Sequence, residues 1–198
     1  MTYLRIQLAA MLLLGVLIAP ATQATTTFPE RITLESQQLQ RIGFGSARYA
    51  GIVHVYDAAL YAPLHNTAED ILDAATPKRL EILYHRPIEA TLMVEAAQHV
   101  LERQHGTQTL ERWQPSIDRL HAAYRDVAAG DRFALAMSPE HGLWLEFNGR
   151  EVVRIDDPEL GPELGRLYFG IWLGDPPLSA SLRDALLPSG CCQVDAVD

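Results

Sequence analysis

The sequence predicts an α+β fold in which one large antiparallel sheet is covered on one face by a helical layer. Three observations lead there. Strand-like runs occur at residues 31–34, 39–42, 49–61 and 79–84. Apolar side chains recur at helical spacing over 88–127 and 163–187. Three further strand-like runs between 131 and 155 follow one another so closely that only hairpins can join them.

Each element has a local reason. Residues 31–34 and 39–42 read as short strands ahead of a long β-like run over 49–61. Along that run Ile52, His54, Tyr56, Ala58 and Leu60 fall on one side, and Val53, Val55, Asp57, Ala59 and Tyr61 on the other, because successive strand side chains point to opposite faces. Neither side is wholly polar, so both are expected to be covered. Residues 68–75 suit a short helix that Pro77 ends, and 79–84 a strand with Leu80, Ile82 and Tyr84 on one face. Pro87 starts a helix in which Ile88, Leu92, Ala96 and Val100 recur and which Gly106 stops. A second helical stretch over 108–127 carries Leu110, Trp113, Ile117, Leu120 and Tyr124 on one stripe, and Pro115 must kink or restart it. Residues 131–137, 143–147 and 151–155 form a meander. Its last turn is Asn148-Gly149, a pair suited to a tight hairpin whose two central residues need positive φ. Leu164, Leu167, Tyr168, Ile171 and Trp172 mark a helix over 163–173, and Ser179 caps a last one over 180–187.

At 198 residues, 48% hydrophobic and 21% charged, the chain has the makings of one globular core. No repeat or low-complexity linker divides it, so residues 25–187 are expected to form a single domain. The net charge of −9 argues against nucleic acid or an anionic membrane surface as the main partner. Arg5, an apolar run over residues 8–18 and small residues up to Ala24 predict a secretory signal at 1–24, with cleavage after Ala21 as the alternative. The product would be periplasmic or secreted. It would keep no membrane anchor, because a spanning helix needs about 20 apolar residues. The adjacent Cys191 and Cys192 fall in a tail, 188–198, that is expected to be flexible, and neighbours cannot staple distant segments.

A search for chemistry turns up little that is specific. The seven histidines show no pair at metal-ligand spacing and the core has no cysteine, so no metal or other cofactor is expected. Gly43-Phe44-Gly45 lacks the third glycine and the helix of a nucleotide loop. No serine sits in a nucleophile elbow, although a convergent triad stays open. Asp156 and Asp157 suit helix initiation. Asp57 stands inside an apolar strand, where burial would demand a partner. Arg48 enters the same run after a two-glycine turn and could face a cleft. Tyr56 lies eight residues on, an even interval that keeps the two on one face if no bulge intervenes. From the residues alone, a surface ion pair for Arg48 and core packing for Tyr56 are the commoner roles.

Three segments taken together resemble the chalcone isomerase-like family: Gly43-Phe44-Gly45-Ser46-Ala47-Arg48; Val55-Tyr56-Asp57-Ala58-Ala59-Leu60-Tyr61; and Gly170-Ile171-Trp172-Leu173-Gly174-Asp175-Pro176-Pro177 with Ser181-Leu182-Arg183. The likeness runs over about 31–187 and is similar to the exported bacterial branch. It implies an open-faced β-sandwich with a ligand cleft between the sheet and the helices. The family includes enzymes that close chalcones to flavanones and plastid proteins that bind fatty acids, and fold membership does not choose between them. Arg48 matches the cleft arginine shared by both groups, with one extra residue before it. Tyr56 stands where the enzymes have threonine and the fatty-acid binders tyrosine. The enzymes' tyrosine and asparagine fall near Thr91 and Gln98, and neither type is kept.

The resemblance therefore implies a binder of a small amphipathic carboxylate such as a fatty acid. Arg48 would fork onto the carboxylate, Tyr56 would add its hydroxyl, and Thr91 and Gln98 would lie along the cleft. Two alternatives stand beside it. One is an isomerase of the intramolecular-lyase kind, acting on a chalcone-like or other small unsaturated substrate by positioning and electrostatics. The other is a non-catalytic periplasmic interaction protein.

Overall fold

The computed structural model describes residues 28–64, 68–158 and 160–187. The expected signal segment, and the tail with Cys191 and Cys192, lie outside them. Seven strands, β1 (Arg31–Leu34), β2 (Gln37–Tyr49), β3 (Val53–Ala62), β4 (Lys78–Tyr84), β5 (Arg132–Ser138), β6 (Gly142–Phe147) and β7 (Arg150–Ile155), pair in chain order, every pair antiparallel. The helices are α1 (Ala68–Leu72), α2 (Ala90–His105), α3 (Thr107–Leu110), α4 (Gln114–His121), α5 (Leu160–Leu173) and α6 (Ala180–Leu186). This is the predicted α+β architecture, an open-faced sheet under a helical layer.

Three elements differ from expectation. The short strand over 39–42 and the two-glycine turn expected before Arg48 are parts of one strand, β2, in which Gly43 pairs with Leu60 and Gly45 with Ala58. The continuous run over 49–61 is instead the end of β2, a turn and the start of β3. Ala50 and Gly51 take φ of 50° and 72°, and the Ile52 N–H donates to the Tyr49 carbonyl at 3.2 Å. The helical stretch over 108–127 is split into α3, a 3-10 turn at Glu111–Trp113, and α4, which Pro115 restarts. Beyond α4 the chain turns back, and Val127 exchanges backbone hydrogen bonds with Ile88 at 2.9 and 3.1 Å.

Both sheet faces are covered, as the mixed alternation of β3 requires. Ala58, Leu60, Leu80, Ile82, Leu135 and Leu145 meet the helices in the main core, and α5, apolar over most of its surface, is its most buried helix. On the other face Leu39, Ala59, Tyr61, Leu83 and Trp144 pack under Phe28 and Leu34. α6 lies directly on β2, where Gly43 and Gly45 make room. A Cβ at 43 would overlap the Leu186 carbonyl, and one at 45 would press on Ala185. The glycines of the Gly43-Phe44-Gly45 segment thus serve helix–sheet packing.

Buried Lys78 donates to the Asp73 and Thr76 carbonyls at 2.7 and 2.8 Å, and its Nζ stands 5.5 Å from the Phe169 ring centroid. Burial pulls its ammonium down to about 7, with Asp73 opposing. The lysine ties the turn after α1 to α5, a structural use of a charge inside the core.

Candidate functional site

An apolar cavity of about 150 Å³ lies between the sheet and the helices. Its floor is the inward face of four strands: Tyr56 from β3, Ile82 and Tyr84 from β4, Phe133 and Leu135 from β5, Leu145 from β6. Alternation puts Ile82 and Tyr84 on one face, and direct cross-strand pairing sets Tyr56 against Tyr84, rings 5.7 Å apart. Its roof is Leu92, Met93, Ala96 and Ala97 of α2 with Ile171 and Trp172 of α5, and Tyr124 closes one side against Phe133 at 5.3 Å. The two alanines give the cavity its height. Leu92 and Leu178 line it while 55% and 39% exposed, so it opens to the surface between them.

No charged side chain lines this cavity among the described residues; its polar groups are three phenols and an indole. The Trp172 Nε1–H donates to the Tyr56 hydroxyl at 3.2 Å, leaving the tyrosine's own proton available to an acceptor. The Tyr84 hydroxyl donates only to the Met93 sulfur at 3.3 Å, a weak acceptor. Burial pushes Tyr56 up to about 12, opposed by the Trp172 hydrogen bond. Burial likewise holds Tyr84 and Tyr124 above the ordinary phenol range. All three hydroxyls are therefore neutral donors at physiological pH, and none is a phenolate base. The surroundings that keep phenols neutral equally oppose an unpaired carboxylate.

Of the four residues expected in a cleft, Tyr56 alone lines the cavity. Arg48 is exposed on the opposite face of the sheet, which corrects the same-face expectation. The hairpin pairs Tyr56 with Ala47, not with Arg48, so Ala47 shares its face and the arginine turns away. Arg48 pairs instead with His54 across a bulge that leaves Val55 as the extra residue. On α2, Thr91 is exposed, and the Gln98 amide donates to Glu102 at 2.7 Å. Neither reaches the cavity, since the helix turns Leu92, Met93, Ala96 and Ala97 toward the sheet. Tyr84, Tyr124 and Trp172 were legible as apolar-face positions, but nothing local marks them as walls of a void.

The outer face holds a second cluster that sequence spacing did not reveal. Asp57 accepts from Ser46 at 2.6 Å, and His54 and His85 bring one Nε2 each to its two oxygens at 2.7 and 2.8 Å. Partial burial raises the Asp57 carboxyl, but the hydrogen bonds from Ser46, His85 and His54 outweigh it and hold the group below its ordinary value. The partner that an acid in an apolar strand requires is thus threefold. The Val55 bulge makes this possible, because His54 and Asp57, three apart, would otherwise face opposite ways.

A family model described as chalcone isomerase-like matches residues 20–188. Among solved structures, a fatty-acid-binding protein of Arabidopsis thaliana is similar over 81% of this chain and 90% of its own, with a TM-score of 0.59 and 17% identity. That likeness establishes the shared fold. No curated protein matches in sequence.

Proposed function

From a chain that belongs to the chalcone isomerase-like family and holds an uncharged apolar cavity against its sheet, we propose that the protein binds a lipid-like small molecule of the fatty-acid class. The alkyl end occupies the cavity and the polar end stays at the mouth beside Leu92 and Leu178. The cavity lining carries this reading, and the fatty-acid-binding protein of the same fold supports it. Arg48 has no part in it, since the side chain lies across the sheet. The polar end is left to water and to the Tyr56 hydroxyl, where an uncharged oxygen serves as well as a charged one.

The volume sets the scale. A cavity of about 150 Å³ holds a body of roughly benzene size. Each buried methylene contributes about 0.8 kcal/mol, close to a fourfold gain in affinity. In calorimetric titration of straight-chain acids and the matching alcohols, affinity is expected to rise about fourfold per carbon and level off once the cavity is full. Acid and alcohol of equal length are expected to agree within about threefold, because no cation selects the anion. A series in which no member binds, or in which affinity ignores chain length, overturns the proposal.

We further infer that this binding occurs outside the cytoplasm, a reading supported by Arg5, the apolar run at residues 8–18 and the small residues before Thr25. Intact-mass measurement of the chain recovered from a periplasmic or medium fraction should find it beginning at Thr25. An uncleaved chain beginning at Met1 and confined to the cytoplasm contradicts export.

A further inference from the structure

We propose that His54, Asp57 and His85 form a binding site for a divalent transition-metal ion on the outer face of the sheet, with Ser46 as the residue that positions the carboxylate. The proposal is independent of the ligand cavity, which lies across the sheet. Two imidazoles and one carboxylate are the donor set that suits zinc, nickel, copper or iron(II) and leaves coordination positions open; calcium and magnesium ask for oxygen ligands instead.

The geometry supports one ion shared by all three. The ligand atoms lie within 4.8 Å of one another. Bonds of about 2.0–2.2 Å from a common centre would set them roughly 3–4 Å apart, a change within reach of small side-chain rotations. Each imidazole addresses a different oxygen of Asp57 through Nε2, and the rings stand 4.2 Å apart at 38°. Both rings therefore present Nε2 to the same carboxylate, one at each oxygen. The histidine side chains are 35% exposed, so an ion can reach them from solvent and keep bound water.

The scaffold holds two ligands on β3 and the third just past the end of β4, with Ser46 supplied by β2. Asp57 is paired in register with Ser46 on β2 and Leu83 on β4, His85 follows two residues after Leu83, and the His85 N–H donates to the Val55 carbonyl at 2.9 Å. The Ser46 hydroxyl, bonded to Oδ1, fixes the carboxylate as outer partners do in metal sites, where their loss typically weakens affinity ten- to a hundredfold.

The test uses the untagged full chain with its thiols alkylated in every sample, so that Cys191 and Cys192 supply no ligand. Zinc is titrated by calorimetry and cobalt(II) by visible absorption. The wild type is expected to take up one ion that the double variant His54→Gln/His85→Gln does not. Ser46→Ala should bind it at least tenfold more weakly. Zinc should also shift the imidazole NMR signals of His54 and His85 and raise the melting temperature of the wild type but not of the double variant. Metal-free melting curves establish that the variants are folded. The proposal is overturned by a wild type that takes up no ion, or by a double variant that matches it in stoichiometry and affinity.

Discussion

Replacing Arg79 by methionine is expected to lower stability by about 3 kcal/mol at pH 7, the low end of the range for breaking a buried ion pair. The guanidinium forks onto Glu146 with two bonds of 2.8 Å and reaches Glu81 at 2.9 Å. Glu146 also accepts from the Trp144 indole at 2.9 Å. Arg79 and Glu146 are 14% and 17% exposed, so some water screens them and the upper end of the range is not reached. Methionine fills much of the space but leaves two carboxylates on the sheet without their main cation.

The loss depends on pH with a definite sign. Burial raises the Glu146 carboxyl, yet the hydrogen bonds and charge of Arg79 outweigh it and hold the group below its ordinary 4.5. A carboxylate depressed in the folded state contributes stability that is present above that ordinary value and is lost as pH falls through the lowered one. In the variant the same carboxyl keeps its burial without its partner, so acidification relieves it. Urea unfolding at pH 7 and pH 4 should therefore show the gap between wild type and variant closing toward the lower pH. An unchanged gap would mean that the pair contributes nothing through charge. The double variant Arg79→Met/Glu146→Leu should recover part of the loss, since it removes one of the two stranded carboxylates and leaves Glu81 with Arg132 at 3.5 Å.

Filling the cavity tests the ligand site from within. Ala96→Phe directs a ring from α2 into a space of roughly one ring's volume. Binding of any alkyl ligand should fall by at least a hundredfold while the melting temperature holds or rises, because lining atoms gain contacts that the void denies them. Normal binding by a folded Ala96→Phe protein would move the ligand elsewhere. Tyr56→Phe separates the polar end from the tail. Affinity should drop about fivefold, the worth of one hydrogen bond. Stability should fall by about 1–3 kcal/mol, because the Trp172 N–H, donated to Tyr56 in a residue only 8% exposed, loses its acceptor.

The contrast between two hairpins shows how far local chemistry reaches. Asn148-Gly149 was legible because asparagine and glycine tolerate positive φ, and the turn forms with φ of 50° and 75°. Ala50-Gly51 adopts nearly the same angles, but alanine carries no such preference, and the run over 49–61 read as one strand. That unseen turn decided the candidate site. Counting residues along one strand put Arg48 on the same face as Tyr56, whereas pairing across a hairpin put Ala47 there. The Val55 bulge then moved His54 from Tyr56's face to Asp57's, so a metal-type cluster arose from histidines whose spacing, 54 and 85, says nothing of contact.

What the sequence by itself determined is the succession of strands and helices, the α+β class, the inward placing of Tyr56, Ala58 and Leu60, and the need of Asp57 for partners. These follow from periodicity and from the cost of burying a charge, both of which act on neighbours along the chain. Only the tertiary structure decided which face Arg48 takes, that Tyr124 and Trp172 enclose a void with Tyr56, and that two distant imidazoles share one carboxylate. Register, bulges and helix placement settle these points. They are set by hydrogen bonding and packing between segments far apart in sequence, where a shift of one residue reverses every side chain.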